Sequence, residues 1–155
     1  MDTSSLHQLT AEQELAWVGL TSMMTRLSAA LDRQLQRDAD ISLFQYQVLA
    51  ALSMHPHHTL SMGDLAKAVE ASPSRLSHSV SRLEQHGWVT RTPDPTHGRS
   101  ILAALTNTGR DKLVANTPGH VAAVRALVID SLTETQLHQL IQITQNINNA
   151  CCSKK

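Results

Sequence analysis

The 155-residue chain is poor in aromatic residues (two Trp, one Tyr, one Phe), has only two cysteines, and carries no excess charge, with 13 Lys and Arg against 13 Asp and Glu. These shortages exclude whole classes of protein. No run approaches the ~18 consecutive apolar residues that a membrane span needs. The opening residues MDTSSLHQLTAEQE lack the basic start and apolar stretch of a signal peptide, so a cytoplasmic location is expected. Cys151 and Cys152 are adjacent, match neither zinc nor thioredoxin spacing, and would form only a strained disulfide. The plain expectation is a pair of reduced thiols in a flexible tail over 151–155, with a redox sensor as the sharper alternative. There is no Ser-His-Asp pattern, phosphate-cradling loop or metal cluster to support an enzyme. Among nine His, the stretch HPHH (His55, His57, His58) lacks a Cys or acidic partner at ligand spacing and reads as an exposed connection. No cofactor or metal is expected.

What remains is enough for one soluble domain, with 41% hydrophobic residues. Zero net charge does not by itself suggest nucleic acid as a partner. Its distribution is more informative. From Ser72 to Arg99 the basic residues Arg75, Arg82, Arg91 and Arg99 face only Glu84 and Asp94, and His78, His86 and His97 lie in the same span.

Helix starts are legible. Thr10–Gln13, Ser42–Gln45 and Thr133–Gln136 fit the capping box, in which a hydroxyl and a Gln three residues later satisfy each other's backbone N–H groups; Ser61–Asp64 is a weaker case. The first helix, about Ala11 to Arg37, carries Leu20, Met24, Leu27, Leu31 and Leu35 as an apolar stripe. It is too long for one small domain to cover, so part of it is expected to meet another subunit. The second points Phe44, Val48, Leu49 and Leu52 inward. A short third helix, Met62 to Val69, is followed after a turn by a fourth, with Ser72 as cap and Pro73 at its first position, ending at Gly87. Two strand-like runs, WVTR and SILAAL, flank the loop TPDPTHGR. A fifth helix begins after Thr106 and is expected to break at TPGH. The last, Thr133 to about Ala150, puts Leu137, Leu140, Ile141, Thr144 and Ile147 on one face.

A short helix, a turn and a second helix, followed by a β-hairpin, make a winged helix-turn-helix. The expected class is therefore mainly α with a small β-hairpin. Leu76, Val80 and Leu83 anchor one face of the fourth helix, leaving Ser74, Arg75, Ser77, His78, Ser81 and Arg82 on the other. Small hydroxyls allow close approach to a phosphate or base edge, and Arg supplies forked donors. A solvated polar face would look similar. In the hairpin loop Pro93 and Pro95 stiffen the chain, Asp94 is expected to pair with Arg91 or Arg99, and Arg99 at the tip suits a narrow minor groove.

These stretches, LSMGDLAKAV and SPSRLSHSVSRLEQHGWVTRTPDPTHGRSILAALTNTGRDKL above all, resemble the MarR family of bacterial transcription regulators. Asp94, Pro95, Arg99, Leu105, Thr106 and Gly109 match the family's wing pattern; His97 stands where a second Asp is usual. The resemblance implies a homodimer joined through residues 1–40 and 107–150, a DNA-binding winged helix over 41–106, and recognition helices set in successive major grooves of a pseudo-palindromic operator. It implies double-stranded DNA as partner, repression as the commoner outcome, and contacts from Ser72, Ser74, Arg75, Ser77, His78, Arg82, Arg91, Asp94, His97 and Arg99. Replacement of an Asp by His97 predicts DNA affinity that rises as pH falls toward about 6. The resemblance also implies release by a small lipophilic or phenolic ligand, with Trp17, Met24, Phe44 and Tyr46 as wall candidates, although such residues more often belong to a core or dimer interface. A winged helix used only for protein–protein contacts, and a redox-responsive regulator acting through Cys151 and Cys152, are the alternatives.

Overall fold

The hydroxyl-and-glutamine signals act as written. In the computed structural model, which describes residues 9–152, Thr10 and Gln13 close a capping box on α1 (Ala11–Ala39). Ser42 and Gln45 do the same on α2 (Leu43–Met54). Thr133 and Gln136 exchange equivalent bonds ahead of α6 (Glu134–Cys152). α3 (Met62–Ala68) is capped by Ser61, and α4 (Pro73–Gln85) by Ser72 with Pro73 in its first turn. Of the tail expected over 151–155, residues 153–155 lie outside the described residues, while Cys151 and Cys152 form the last positions of α6.

The two expected strands are present as β2 (Val89–Pro93) and β3 (Ile101–Leu105). A third, β1 (Thr59–Ser61), was not foreseen, because three residues are too few to show a period. β3 runs antiparallel between β1 and β2, with Leu60 opposite Ala103 and Arg91 opposite Ala103 on the other side. The core lies where α2, α3, α4 and this sheet meet the C-terminal end of α1. Leu35, Ile41, Val48, Leu49, Leu52, Leu65, Leu76, Val80, Leu83 and Ala103 are all fully buried there.

The fifth helix differs from expectation. α5 (Asn107–Leu127) runs unbroken through Pro118. Pro removes one backbone donor and crowds the preceding turn, a cost of ~3 kcal/mol in an isolated helix. Here packing outweighs propensity. The Asn116 amide and Thr117 hydroxyl in that turn donate to the Lys112 and Leu113 carbonyls. The same segment is tied to two other helices: the Tyr46 hydroxyl of α2 lies 3.2 Å from Thr117 Oγ1, and His120 meets the Tyr46 ring and Gln34 of α1. Burial at this three-helix joint pushes the His120 pKa below its usual value, favouring the neutral imidazole.

A second joint fixes the hairpin to α5. The Thr106 and Thr108 hydroxyls both donate to the Gly87 carbonyl, at 2.7 and 2.8 Å, and the Thr106 N–H donates to the Trp88 carbonyl. Gly109 lies so close that a Cβ would stand 2.1 Å from the Trp88 carbonyl oxygen. Gly109→Ala should therefore displace backbone on one side of the joint, costing ~1–3 kcal/mol and lowering the Tm by several degrees. Gly19→Ala, in α1 with nothing within 4 Å of its added Cβ, should hold or raise the Tm. Thermal unfolding of both variants checks this; an unchanged Tm for Gly109→Ala would show that the joint can open without penalty.

Candidate nucleic-acid interface

α4 stands on Leu76, Val80 and Leu83, each fully buried. The turn before it spans Val69–Ser72 and needs a left-handed backbone at Glu70 (φ 50°), a conformation its sequence does not advertise. Ser72, Ser74, Arg75, Ser77, His78 and Arg82 are all exposed, as the spacing predicts. They do not form one surface, however. Ser77 lines a groove of about 590 Å³ between α4 and the wing, together with Arg91, His97, Arg99 and Ser100. Arg75, His78 and Arg82 line a separate cavity of about 580 Å³ between α4, α1 and α2.

The wing corrects one expectation. Asp94 pairs with neither arginine. Its Oδ1 accepts the Thr96 N–H (2.8 Å) and the Thr96 hydroxyl (2.7 Å), and these bonds hold its carboxyl below the usual carboxylate range. The Thr96 hydroxyl has thus spent its proton on Asp94 and accepts from His97 Nδ1 at 2.9 Å. In that bond Nδ1 is the donor, and Nε2 is the other ring nitrogen. The His97 Nδ1 also stands 3.7 Å from Asp94 Oδ2, with the imidazole side chain 80% exposed. Arg99 is exposed beside it, and among the described residues no acid pairs with it.

Arg91 is held by Glu84 and Ser81, which their positions in the sequence did not pair with it. Its backbone N–H donates to Glu84 Oε1, its Nε donates to Glu84 Oε2 at 2.9 Å, and its Nη2 reaches Ser81 Oγ at 3.0 Å. Both charged side chains of this pair are only 29% exposed. The available signal was an acid and a base seven positions apart across the Gly87 turn.

The four candidate ligand-wall residues are not brought together. Phe44 lines the cavity between α1, α2 and α4, with the Arg75 guanidinium 4.1 Å from its ring centroid. Tyr46 is buried at the α5 joint, and Trp17 and Met24 are more than half exposed on the first part of α1. The cavity wall is completed by Ser28, Asp32, Gln47 and Ser79. Asp32 accepts the Leu43 N–H at 2.8 Å. Ser79 Oγ is buried with no hydrogen-bond partner among the described residues, an unusual state that costs free energy unless something fills it. Its place among apolar anchors of α4 concealed it from a reading of polar faces. Cys151 and Cys152 are exposed beside α3, where the end of α6 overhangs Ala66 and Leu76. Among the described residues no cluster of three or more His, Cys, Asp or Glu is arranged to hold a metal, and no helix is long and apolar enough to cross a membrane.

Comparison with known proteins agrees with this geometry. The model of the MarR family matches residues 39–100, which spans α2 to the wing tip. The chain is 31% identical over 140 residues to the HTH-type transcriptional regulator YfiV of Bacillus subtilis, covering 87% of this chain and 84% of that protein. It is 29% identical over 104 residues to the HTH-type transcriptional repressor MdtR of the same organism, with 67% and 66% of the two chains covered. The crystal structure of Sco3205, a MarR family transcriptional regulator from Streptomyces coelicolor in complex with DNA, superposes with a TM-score of 0.90 at 42% identity over 93% of this chain and 94% of that one. These are regulators of transcription and not enzymes, and with them this winged helix-turn-helix chain belongs to the MarR family.

Proposed function

We propose that the protein is a DNA-binding repressor that works as a homodimer on a pseudo-palindromic operator in the cytoplasm and is released by a small ligand. The observation that carries the DNA reading is the groove between α4 and the wing, where Ser77, His97 and Arg99 converge on one face of a protein with no net charge. The likeness to Sco3205, solved with DNA bound, supports it. The dimer reading rests on apolar surface that one chain leaves uncovered. α1 is about 43 Å long at 1.5 Å per residue, and Leu15, Trp17, Val18, Met23 and Met24 along it are exposed. Val114 and Val121 of α5 and Ile141, Ile143 and Ile147 of α6 are exposed as well. Between α1 and α6 lies a groove of about 890 Å³ walled by Leu27, Leu127 and Leu140. A patch of this kind marks an interface, and residues 1–40 and 107–150 form the region in which a second copy covers it. Residues 41–106 then form the DNA-binding unit.

Selection of a duplex from random-sequence DNA, followed by titration at several salt concentrations, tests the reading. Wild type should select a two-fold-related sequence. Arg99→Ala should bind it at least 10-fold more weakly and, if each subunit loses one phosphate contact, reduce the slope of log affinity against log salt by about two per dimer. A protein that selects no duplex, or an Arg99→Ala variant with wild-type binding, rules the assignment out.

The ligand site is the cavity between α1, α2 and α4. The Arg75 guanidinium, the Phe44 ring and the unpartnered Ser79 hydroxyl suit a small aromatic anion, a phenolic carboxylate for instance. Because Arg75, His78 and Arg82 serve both this cavity and the exposed face of α4, an occupant that engages them competes with DNA. With 4-hydroxybenzoate as probe, calorimetry should detect binding to wild type and at least 10-fold weaker binding to Ser79→Ala, whose fold loses only an unbonded hydroxyl. Equal binding by both would move the ligand out of this cavity.

A further inference from the structure

We infer that Arg91 is a positioning residue that, with Glu84, sets the angle of the wing to the recognition helix and makes no contact with DNA. The inference rests on the DNA reading above and goes beyond it, because Arg91 is one of two arginines flanking the wing loop and looks like a phosphate ligand from sequence. Its surroundings say otherwise. The guanidinium and the backbone N–H of the same residue both end on one carboxylate, through Nε to Oε2 and N to Oε1, each at 2.9 Å. Nη2 also donates to Oε2 and reaches Ser81 Oγ at 3.0 Å. Ser81 is itself oriented by donating to the Ser77 carbonyl at 2.9 Å. These bonds join the last two turns of α4 to the middle of β2, directly before the stiff Pro93-Asp94-Pro95 segment that carries His97 and Arg99.

A fork that bonds a carboxylate through both side chain and main chain fixes orientation as well as distance. At 29% exposure for each side chain the pair is partly shielded from water and salt. Turning Nε and Nη2 to a phosphate would leave Glu84 with a half-buried, uncompensated charge. Arg91 pairs across β2 and β3 with Ala103, which is fully buried, so its backbone cannot follow a departing side chain. Arg99, by contrast, is exposed beyond the loop and has no acidic partner among the described residues. The two arginines divide the work: one aims the wing and the other meets the groove.

The consequence runs against simple electrostatics. Removing an acid near a DNA-binding face ordinarily tightens binding, whereas removing Glu84 should weaken it. The test uses the full-length protein and the duplex selected by wild type; failure to select any duplex overturns the DNA reading and this inference with it, whereas a selected duplex bound equally well by the variants overturns this inference alone. Glu84→Ala, Arg91→Ala and the double variant should each bind about 10-fold more weakly, with the double no worse than either single. The salt slope should remain that of wild type, because no phosphate contact is lost. Hydroxyl-radical footprints should lose protection where the wings lie and keep it where the recognition helices lie. Glu84→Gln, which keeps the size of the side chain and one acceptor oxygen but turns the other into a donor, preserves the fold if the alanine variants do not and should show a loss in the same direction. Two further results overturn the inference: binding by Glu84→Gln that equals or exceeds wild type, or an Arg91→Ala salt slope reduced by about two per dimer, the signature of a phosphate ligand in each subunit.

Discussion

Everything on the DNA-facing side depends on how α4 is seated. A helix of 13 residues with Leu76, Val80 and Leu83 fully buried has about one third of its circumference committed to the core. Because these anchors recur at i, i+4 and i+7, the helix cannot rotate without exposing one of them, each such exposure costing ~1.5–3 kcal/mol. Its other side chains are therefore aimed by the core. Ser81 and Glu84 point to β2, Ser77 to the groove beside the wing, and Arg75, His78 and Arg82 to the cavity shared with α1 and α2. One rigid seat thus serves three adjoining surfaces.

Zero net charge is compatible with this arrangement because charges are spent locally. Asp64 neutralises Lys67, Asp38 neutralises Arg37, and Asp130 neutralises Arg125, each at about 3 Å. Exposed pairs of this kind contribute little to stability, but they remove cations from the far field. Glu84 does the same for Arg91. The Lys and Arg that remain without an acidic partner among the described residues are Arg75, Arg82 and Arg99 on α4 and the wing, and Arg26, Arg33, Arg110 and Lys112 on α1 and α5. A neutral chain can present a basic face in this way, which is why the composition alone argued weakly.

The sequence made helix starts, the α4 anchors and the wing readable because each rests on local chemistry: a hydroxyl with Gln three residues on, apolar recurrence, or Pro and Gly in a loop. What it hid was tertiary. β1 is three residues long and exists because β3 offers it an edge. α5 survives Pro118 because Thr117 and His120 are held by Tyr46 and Gln34, residues more than 70 positions away. Asp94 looked like an ion-pair partner, but a Thr two residues later supplies two donors at no cost in loop closure, and that local turn wins over a distant guanidinium. The ligand-wall candidates Trp17, Met24, Phe44 and Tyr46 lie on α1 and α2, two of the helices around the cavity beside α4. Only Phe44 has the right phase on α2, since Tyr46 is turned about 200° further round the helix and faces α5.

The two joints explain how an event in the cavity could be felt at the wing. α1 contributes Ser28, Asp32 and Gln34 within two turns: the first two line the cavity, and the third bonds His120 of α5. α5 in turn begins at the joint that fixes the hairpin, where Thr106 and Thr108 bond the Gly87 carbonyl and Gly109 meets Trp88. A shift of α4 relative to α1 is therefore opposed at two points of α5, near its middle at Tyr46 and His120 and at its start at Thr106 and Thr108. Small adjustments cannot be absorbed along the way, because backbone meets backbone at Gly109. In the proposed dimer, where α1 also pairs the subunits, the unit defined by α2 to the wing would move as one body against the helices above it. A ligand can then change DNA affinity only by its preference for one setting of that body over another, and the side chains able to express such a preference are those that touch both sides of the cavity: Arg75 against Phe44, and Asp32 against the first turn of α2.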